Sequence, residues 1–355
     1  MIESISYSKL ELPMKKPFRI SLGSTDSYEG FLVKIKTDDG IVGYGEATST
    51  PFISGDTMGS IENELKIFST VLKGQEESPE LISEWALKHC KSAKASRCAI
   101  DTALWDIIGK RANLNVTRLL GNYRKEMPTS YTVDLVDSKN AAKQAKELLG
   151  NGISVFKVKM GSGIQADLER IKTVREIVGP DAMVYVDFNQ AYSPRKAVEI
   201  SAHLQKFNVE FMEQPVSMFD TRGLKFVRDH SPIPVFADEA VFGLHEALEI
   251  LGAEAADGIN IKLMKAGGIT EAMKIATLAE TFGAPVMIGC MVETKLANTA
   301  GLAVALSRSI VKYSDLDGYS SIIRDITTQG IQLINGKVTM PDVPGIGFTL
   351  TDEFK

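Results

Sequence analysis

The chain is poor in the residues on which soft-metal, disulfide and imidazole chemistry depend. Its 355 residues include only three cysteines and four histidines. Cys90, Cys98 and Cys290 are odd in number and have no CxxC spacing, which argues against a disulfide framework and against a thiolate zinc site. A reducing cytoplasm is the matching compartment, and Cys290, close to a predicted strand end, reads as a buried, inert thiol. His89, His203, His230 and His245 all fall in predicted helices or connections. Zinc ligation, a histidine general base and a Ser–His–Asp nucleophile are therefore poorly supported. Basic charge is not in excess either: 40 Lys+Arg stand against 45 Asp+Glu, a net charge of −5, with no basic stripe for a nucleic acid. No apolar run approaches the roughly 20 residues that span a bilayer, so no membrane association is expected. The opening MIESISYSKLELPMKKPF alternates polar and apolar residues and has no signal-peptide core; it predicts a strand.

Hydrophobic residues make up 44% and charged residues 24%, ordinary for a globular protein whose length suffices for two domains. Residues 3–12 and 31–37 alternate as strands do, and Asp38-Asp39-Gly40 makes a hairpin turn before Ile41-Val42. Helical spacing follows over 57–73 and 92–110. From about residue 127 short apolar runs alternate with amphipathic stretches. The runs, at 154–158, 183–187, 209–212, 235–237, 258–261, 286–289 and 310–313, are nearly continuous, as parallel strands buried on both faces must be. Between them, Ala197, Ile200, Leu204 and Phe207 form one helical stripe, and Ala272, Ile275, Ala276, Ala279 and Phe282 another. Repeated βα units in this number predict an α/β fold, a (β/α)7β-type TIM barrel over residues 127–315. An α+β capping domain is expected from residues 1–126, joined by a returning tail of 316–355 that is rich in turn residues and has no further βα unit.

The chemistry lies at the strand ends. Lys157-Val158-Lys159, Asp187, Glu213, Asp238 and Lys262 follow one another about 25 residues apart, close to the roughly 30 that one βα unit occupies in such barrels. Two further steps of similar size reach Glu293 and Asp315. All these groups should converge at the C-terminal mouth. A single carboxylate after a strand is often only the N-cap of the next helix, but caps favour Ser, Thr, Asp and Asn, not Glu or Lys. Three carboxylates with no nearby sulfur or imidazole make a hard-oxygen site suited to Mg²⁺, one per subunit. Lys159, on the second strand of eight, and Lys262, on the sixth, approach a central ligand from opposite sides. One can remove an α-proton while the other returns one to the opposite face, with Mg²⁺ taking up the charge that develops. That pattern specifies a racemase or epimerase. At least one of these lysines is expected to be neutral, because burial and a neighbouring cation both lower an ammonium's pKa. A Schiff-base aldolase, the rival from another class, needs no such acidic trio.

KVKMG, VDFNQ, FMEQP, ADE and NIKLMKAGG resemble the strand-end motifs of the enolase superfamily, muconate-lactonising subgroup, and the likeness runs from KPFRI to Pro344-Gly345-Ile346-Gly347. The resemblance implies Asp187, Glu213 and Asp238 as metal ligands, Lys159 and Lys262 as the acid/base pair, and Lys157 as an accessory lysine. A lysine or histidine base working beside Mg²⁺ is the known chemistry of that superfamily. Within it, Asp315-Leu316-Asp317 resembles the Asp-x-Asp motif of the dipeptide epimerase branch. Alternate spacing puts both carboxylates on one side of the strand, where they would hold a substrate ammonium. Met291 and Glu293 in MVETK are similar to that branch as well. The fold family implies a mobile loop near 18–28 and another near 51–56, with Ile53 in the second. Gly23 stands where Ala-Glu epimerases carry a substrate-binding arginine, and Arg19 lies four residues earlier. The expected substrate is therefore a dipeptide with a small or apolar second residue. Ala-Glu, with Arg19 or another cation substituting, remains the alternative, beside o-succinylbenzoate synthase or N-acylamino-acid racemase activity. A cytoplasmic homo-oligomer is expected.

Overall fold

The computed structural model describes residues 1–90 and 94–355. Strands β1 (Ile2–Ile20), β2 (Gly23–Thr37) and β3 (Val42–Thr48) form an antiparallel sheet in the order β1-β2-β3, with the predicted turn at Asp38-Asp39-Gly40. Helices α1 (Met58–Val71), α2 (Pro79–His89), α3 (Lys94–Ala112) and α4 (Val116–Leu120) follow. The predicted 92–110 helix thus runs from 94, its first two positions lying outside the described residues. Helix α3 lies directly on β3. A Cβ at Gly43 would sit 2.1 Å from the Ala103 carbonyl oxygen, and one at Gly45 would sit 1.9 Å from that of Ala99. Alternate glycines on the strand thus meet small residues one turn apart on the helix.

After β4 (Met127–Pro128), the barrel runs β5 (Tyr131–Val133), α5 (Ser138–Gly150), β6 (Val155–Lys159), α6 (Ile164–Val178), β7 (Met183–Asp187), α7 (Pro194–Leu204), β8 (Met212–Glu213), α8 (Thr221–His230) and β9 (Val235–Ala237). It continues with α9 (Leu244–Gly252), β10 (Gly258–Lys262), α10 (Leu263–Ala266), α11 (Ile269–Phe282), β11 (Val286–Gly289), α12 (Lys295–Ser307) and β12 (Val311–Asp315). Strands β5 to β12 pair in parallel in sequence order, making a nearly closed eight-stranded barrel. A backbone bond from Ser130 N–H to the Ser314 carbonyl, 2.9 Å, joins its two edges. The first strand, only three residues long, is too short to stand out in the sequence as an apolar run. The 209–212 run contributes just Met212 to its ladder, which extends instead to Glu213.

Period-2 alternation divides each barrel strand between two environments. The outward set, including Phe156, Val158, Val184, Val186, Ile259, Ile261 and Ile288, joins the large core beneath the helices. The inward set closes the barrel floor with Val155, Tyr185, Phe211, Phe236 and Met287, against Met183 and Tyr313. Phe211 stacks on Phe236 at 4.1 Å and on Tyr185 at 4.4 Å, ring centre to centre. This aromatic plug closes the barrel below the mouth. Beyond a 3₁₀ turn at Gly318–Ser321, the tail forms β13 (Thr327–Gln329), β14 (Gln332–Ile334), β15 (Lys337–Thr339) and β16 (Thr349–Leu350). Strand β15 pairs with β4, Asn115 bridges Gly345, and the Phe348 ring meets Tyr44 edge-on at 6.3 Å.

Candidate active site at the barrel mouth

Continuing the inward alternation one step above the floor brings the charged strand ends together. Lys159 pairs in register with Asp187, and Asp187 with Glu213. Carboxylate oxygens of Asp187, Glu213 and Asp238 lie within 4.8 Å of one another, and all three residues are fully buried. Lysines surround them. Lys157 Nζ is 3.0 Å from Asp187, 2.9 Å from Glu213 and 2.7 Å from Asp315. Lys159 Nζ donates to Asp187 at 2.7 Å and to Asn189 Oδ1 at 2.9 Å. Lys262 Nζ donates to Asp238 at 2.8 Å, four strands around the barrel from Lys159.

Burial and neighbouring charge compete at Lys157, Lys262, Asp187 and Asp238. Burial pulls the Lys157 and Lys262 ammonium groups down, but the surrounding carboxylates, led by Asp187 for Lys157 and Asp238 for Lys262, hold both above the usual lysine range. For Lys262 the direction is opposite to the lowering expected from burial alone, because a carboxylate partner outweighs the low-dielectric surroundings. Burial likewise works to raise Asp187 and Asp238, and the adjacent ammonium groups overcome it, so both are depressed. Glu213 goes the other way. Burial and the negative charge of Asp187 push it up.

Several participants are not singled out by the sequence pattern. Lys265, buried within NIKLMKAGG, donates to Asp238 Oδ1 at 2.6 Å and to the Asn260 carbonyl at 3.1 Å. Asn260, two residues before Lys262 and so on the same inward face, donates to Glu213 Oε1 at 2.7 Å. Asn189 joins Lys159 to Glu239, whose Oε1 accepts from Asn189 Nδ2 at 3.0 Å. Gln214 Oε1 accepts from the Asp238 and Ala240 N–H groups at 2.9 and 3.0 Å. Asn189, Gln190 and Gln214 all have positive φ, at 39°, 68° and 36°, so backbone strain collects beside the carboxylates. The available signal is the short polar runs FNQ and EQP inside otherwise apolar strand ends.

The donor set fits a hard divalent cation. Glu239 Oε2 and Asn260 Oδ1 are buried without a hydrogen-bond partner, and Glu213 Oε2 has only its ion-pair contact with Lys157. Such oxygen-rich, under-satisfied surroundings, with no Cys or His in the acidic cluster among the described residues, match Mg²⁺.

Above the cluster opens a cavity of about 550 Å³, lined at its base by Lys157, Lys159, Asn189, Lys262, Asp315 and Asp317. Asp315 accepts from Ser130 Oγ at 2.9 Å, and Asp317 from the Thr132 N–H at 2.8 Å. Strand β12 stops at Asp315; Asp317 stands beyond it at the start of the 3₁₀ turn, with Leu316 buried between them. Burial, then the charge of Asp315, raises Asp317 to about 6. Ile53, Met291 and Gly23 also line the cavity. Glu293 does not: it is turned into the protein at 3% exposure, where it accepts from the Met291 N–H at 2.9 Å. Burial and the nearby Glu46 push it up to about 8. It shapes the 290–294 turn and does not face the cavity.

The expected 18–28 loop is the end of the β1–β2 hairpin, with strand pairing from Phe18↔Thr25 to Ile20↔Gly23. Extended backbone there imposes alternation. Phe18 and Ile20 line the cavity while Arg19 between them is exposed and is not part of the lining. Over the hairpin tip lies Phe52 from the 51–56 turn, its ring 2.7 Å from where a Cβ on Gly23 would stand.

Two family models match the chain. The model described as mandelate racemase / muconate lactonizing enzyme, N-terminal domain, matches residues 4–121, and that described as enolase C-terminal domain-like matches residues 140–354. The chain is 34% identical over 353 residues to an L-Ala-D/L-Glu epimerase of Clostridium acetobutylicum, covering 98% of each chain. It is 36% identical over 334 residues to a hydrophobic dipeptide epimerase of Enterococcus faecalis, covering 94% of each. The crystal structure of the Enterococcus faecalis dipeptide epimerase complexed with Mg and L-Leu-L-Tyr superposes with a TM-score of 0.95 at 34% identity, over 98% of this chain and 99% of that one.

Proposed function

The chain belongs to the mandelate racemase / muconate lactonizing enzyme family of the enolase superfamily, and from that premise we propose that it inverts an α-carbon of dipeptides whose second residue is small or apolar. The observation that carries the reading is the opposition of two lysines, on the second and sixth strands of eight, across a buried trio of carboxylates. Lys159 and Lys262 act as the two bases, one removing the α-proton while the other delivers a proton to the opposite face. Lys157, whose ammonium contacts Asp187, Glu213 and Asp315, keeps positive charge beside the reacting centre. Asp315 and Asp317, both at the cavity base, hold the N-terminal ammonium of the substrate by charge-assisted hydrogen bonds. The apolar, aromatic floor closes the barrel from below, so substrate reaches the lysine pair only from the mouth. A Mg²⁺ ion held by Asp187, Glu213 and Asp238 would supply electrostatic stabilisation of the negative charge that develops on the substrate.

The apolar preference rests on the upper wall. Phe18, Ile20, Phe52 and Ile53 line it, Gly23 brings no side chain, and Arg19 is outside. Ala-Glu is the second reading, favoured by Lys15, which lines the cavity and could meet a carboxylate. Incubating the Mg²⁺-loaded enzyme with a dipeptide library in D₂O decides between them. Ala-Ala, Ala-Val and Ala-Leu should exchange and invert their α-proton faster than Ala-Glu; a marked preference for Ala-Glu would overturn the apolar assignment.

A further inference from the structure

A second buried ion pair lies just behind Lys159, outside the cavity, and the two-base reading does not use it. Arg170 and Asp167, on the first turns of α6, are 2% and 0% exposed. The Arg170 guanidinium donates to Asp167 Oδ1 at 2.6 Å, to the Val136 carbonyl at 2.6 Å, to Ser162 Oγ at 3.0 Å and to the carbonyl of Lys159 itself at 3.2 Å. Asp167 in turn accepts from the N–H groups of Gly161 and Ser162, at 2.7 and 3.1 Å, and from the Tyr192 hydroxyl at 2.7 Å. Most of these bonds hold the end of β6 or the turn that follows it. None reaches β10, which carries Lys262.

Removing a guanidinium and a carboxylate from water is costly, and a buried pair is weak evidence of net stabilisation. What this pair offers is geometry. A base must be held within roughly 0.5 Å of its productive position by groups that are themselves locked. We propose that the Arg170–Asp167 pair is a positioning device for Lys159, fixing the backbone from which that ammonium reaches the substrate and so governing proton transfer on one face only. Arg170 and Asp167 touch no substrate; they act through the Lys159 carbonyl and the Met160–Gly163 turn.

The inference rests on the two-base reading, and the experiment separates the two. Wash-in of deuterium is measured separately for the two epimers of a reactive dipeptide, with Lys159→Ala and Lys262→Ala identifying which epimer each lysine serves. Arg170→Met should slow exchange of the Lys159-side epimer by about 10-fold to 100-fold, the scale of a 1 Å misplacement, while the Lys262-side exchange stays within about twofold. A merely structural loss would lower both in proportion to the folded fraction. Tyr192→Phe, which removes one donor to Asp167 and keeps the ion pair, should show a smaller effect of the same one-sided kind and serves if Arg170→Met does not fold. Equal loss on both faces, or no loss on either, overturns the positioning role. If the unaltered enzyme exchanges no dipeptide α-proton at all, the epimerase reading fails and this inference with it.

Discussion

Asp317 shows how much a single side chain owes to its surroundings. Its carboxylate accepts one backbone bond, from Thr132, yet burial and the like charge of Asp315 raise it to about 6, with Lys157 opposing. To hold an ammonium group it must be ionised, and a carboxyl with a raised pKa loses its charge early as acidity increases. Dipeptide kcat/KM should therefore fall about tenfold per pH unit below about 6, through KM rather than kcat. Asp317→Asn should remove that acid limb and raise KM at neutral pH. An unchanged pH profile in the variant would mean that another group sets the limb. Lys265 teaches the complementary lesson. A lysine three residues after Lys262 looks like part of the following helix, and only the fold reveals its contact with Asp238.

Elements meet here through residues chosen for what they leave out. The capping sheet touches α3 through Gly43 and Gly45, where even a methyl group would collide with helix carbonyls at 2.1 and 1.9 Å. Gly45→Ala should therefore move β3 off the helix and cost more than about 3 kcal/mol, read as a fall in the urea midpoint. A loss below about 1 kcal/mol would show that the strand shifts freely. The same strand supplies Glu46, whose carboxylate accepts from Tyr28 Oη at 2.7 Å and from the Thr294 N–H at 2.9 Å, at the N-cap of α12. A capping-sheet side chain thus terminates a barrel helix, which ties the cavity roof near Tyr28 to the turn carrying Met291.

Taken whole, the molecule sets the carboxylates of Asp187, Glu213 and Asp238, with Glu239, Asp315 and Asp317 beside them, among four lysines at the mouth of the barrel, above its apolar floor. Those carboxylates are paired within the protein, yet oxygens of Glu213, Glu239 and Asn260 keep unmet bonding capacity. A cation that binds only the folded state stabilises it by mass action, about 2.7 kcal/mol at a hundredfold excess over Kd. Mg²⁺ should accordingly raise Tm by several degrees, EDTA should reverse the rise, and Asp238→Asn should abolish it. A Tm indifferent to Mg²⁺ in the unaltered protein would remove the metal from the proposed chemistry.

The spacing of Lys159, Asp187, Glu213, Asp238 and Lys262 was readable from the chain alone, because both the βα repeat and the two-residue alternation of a strand are local periodicities. The barrel followed from the same regularity, and so did the convergence of its charged ends. What local pattern could not carry was facing and pairing between distant segments. Glu293 turns inward and Arg19 outward because of how the 290–294 turn and the β1–β2 hairpin pack. Ser130 meets Asp315, and Thr294 meets Glu46, across separations of 185 and 248 residues. Such contacts depend on barrel register and on the seating of one sheet upon it, and these are settled by the packing of the whole chain.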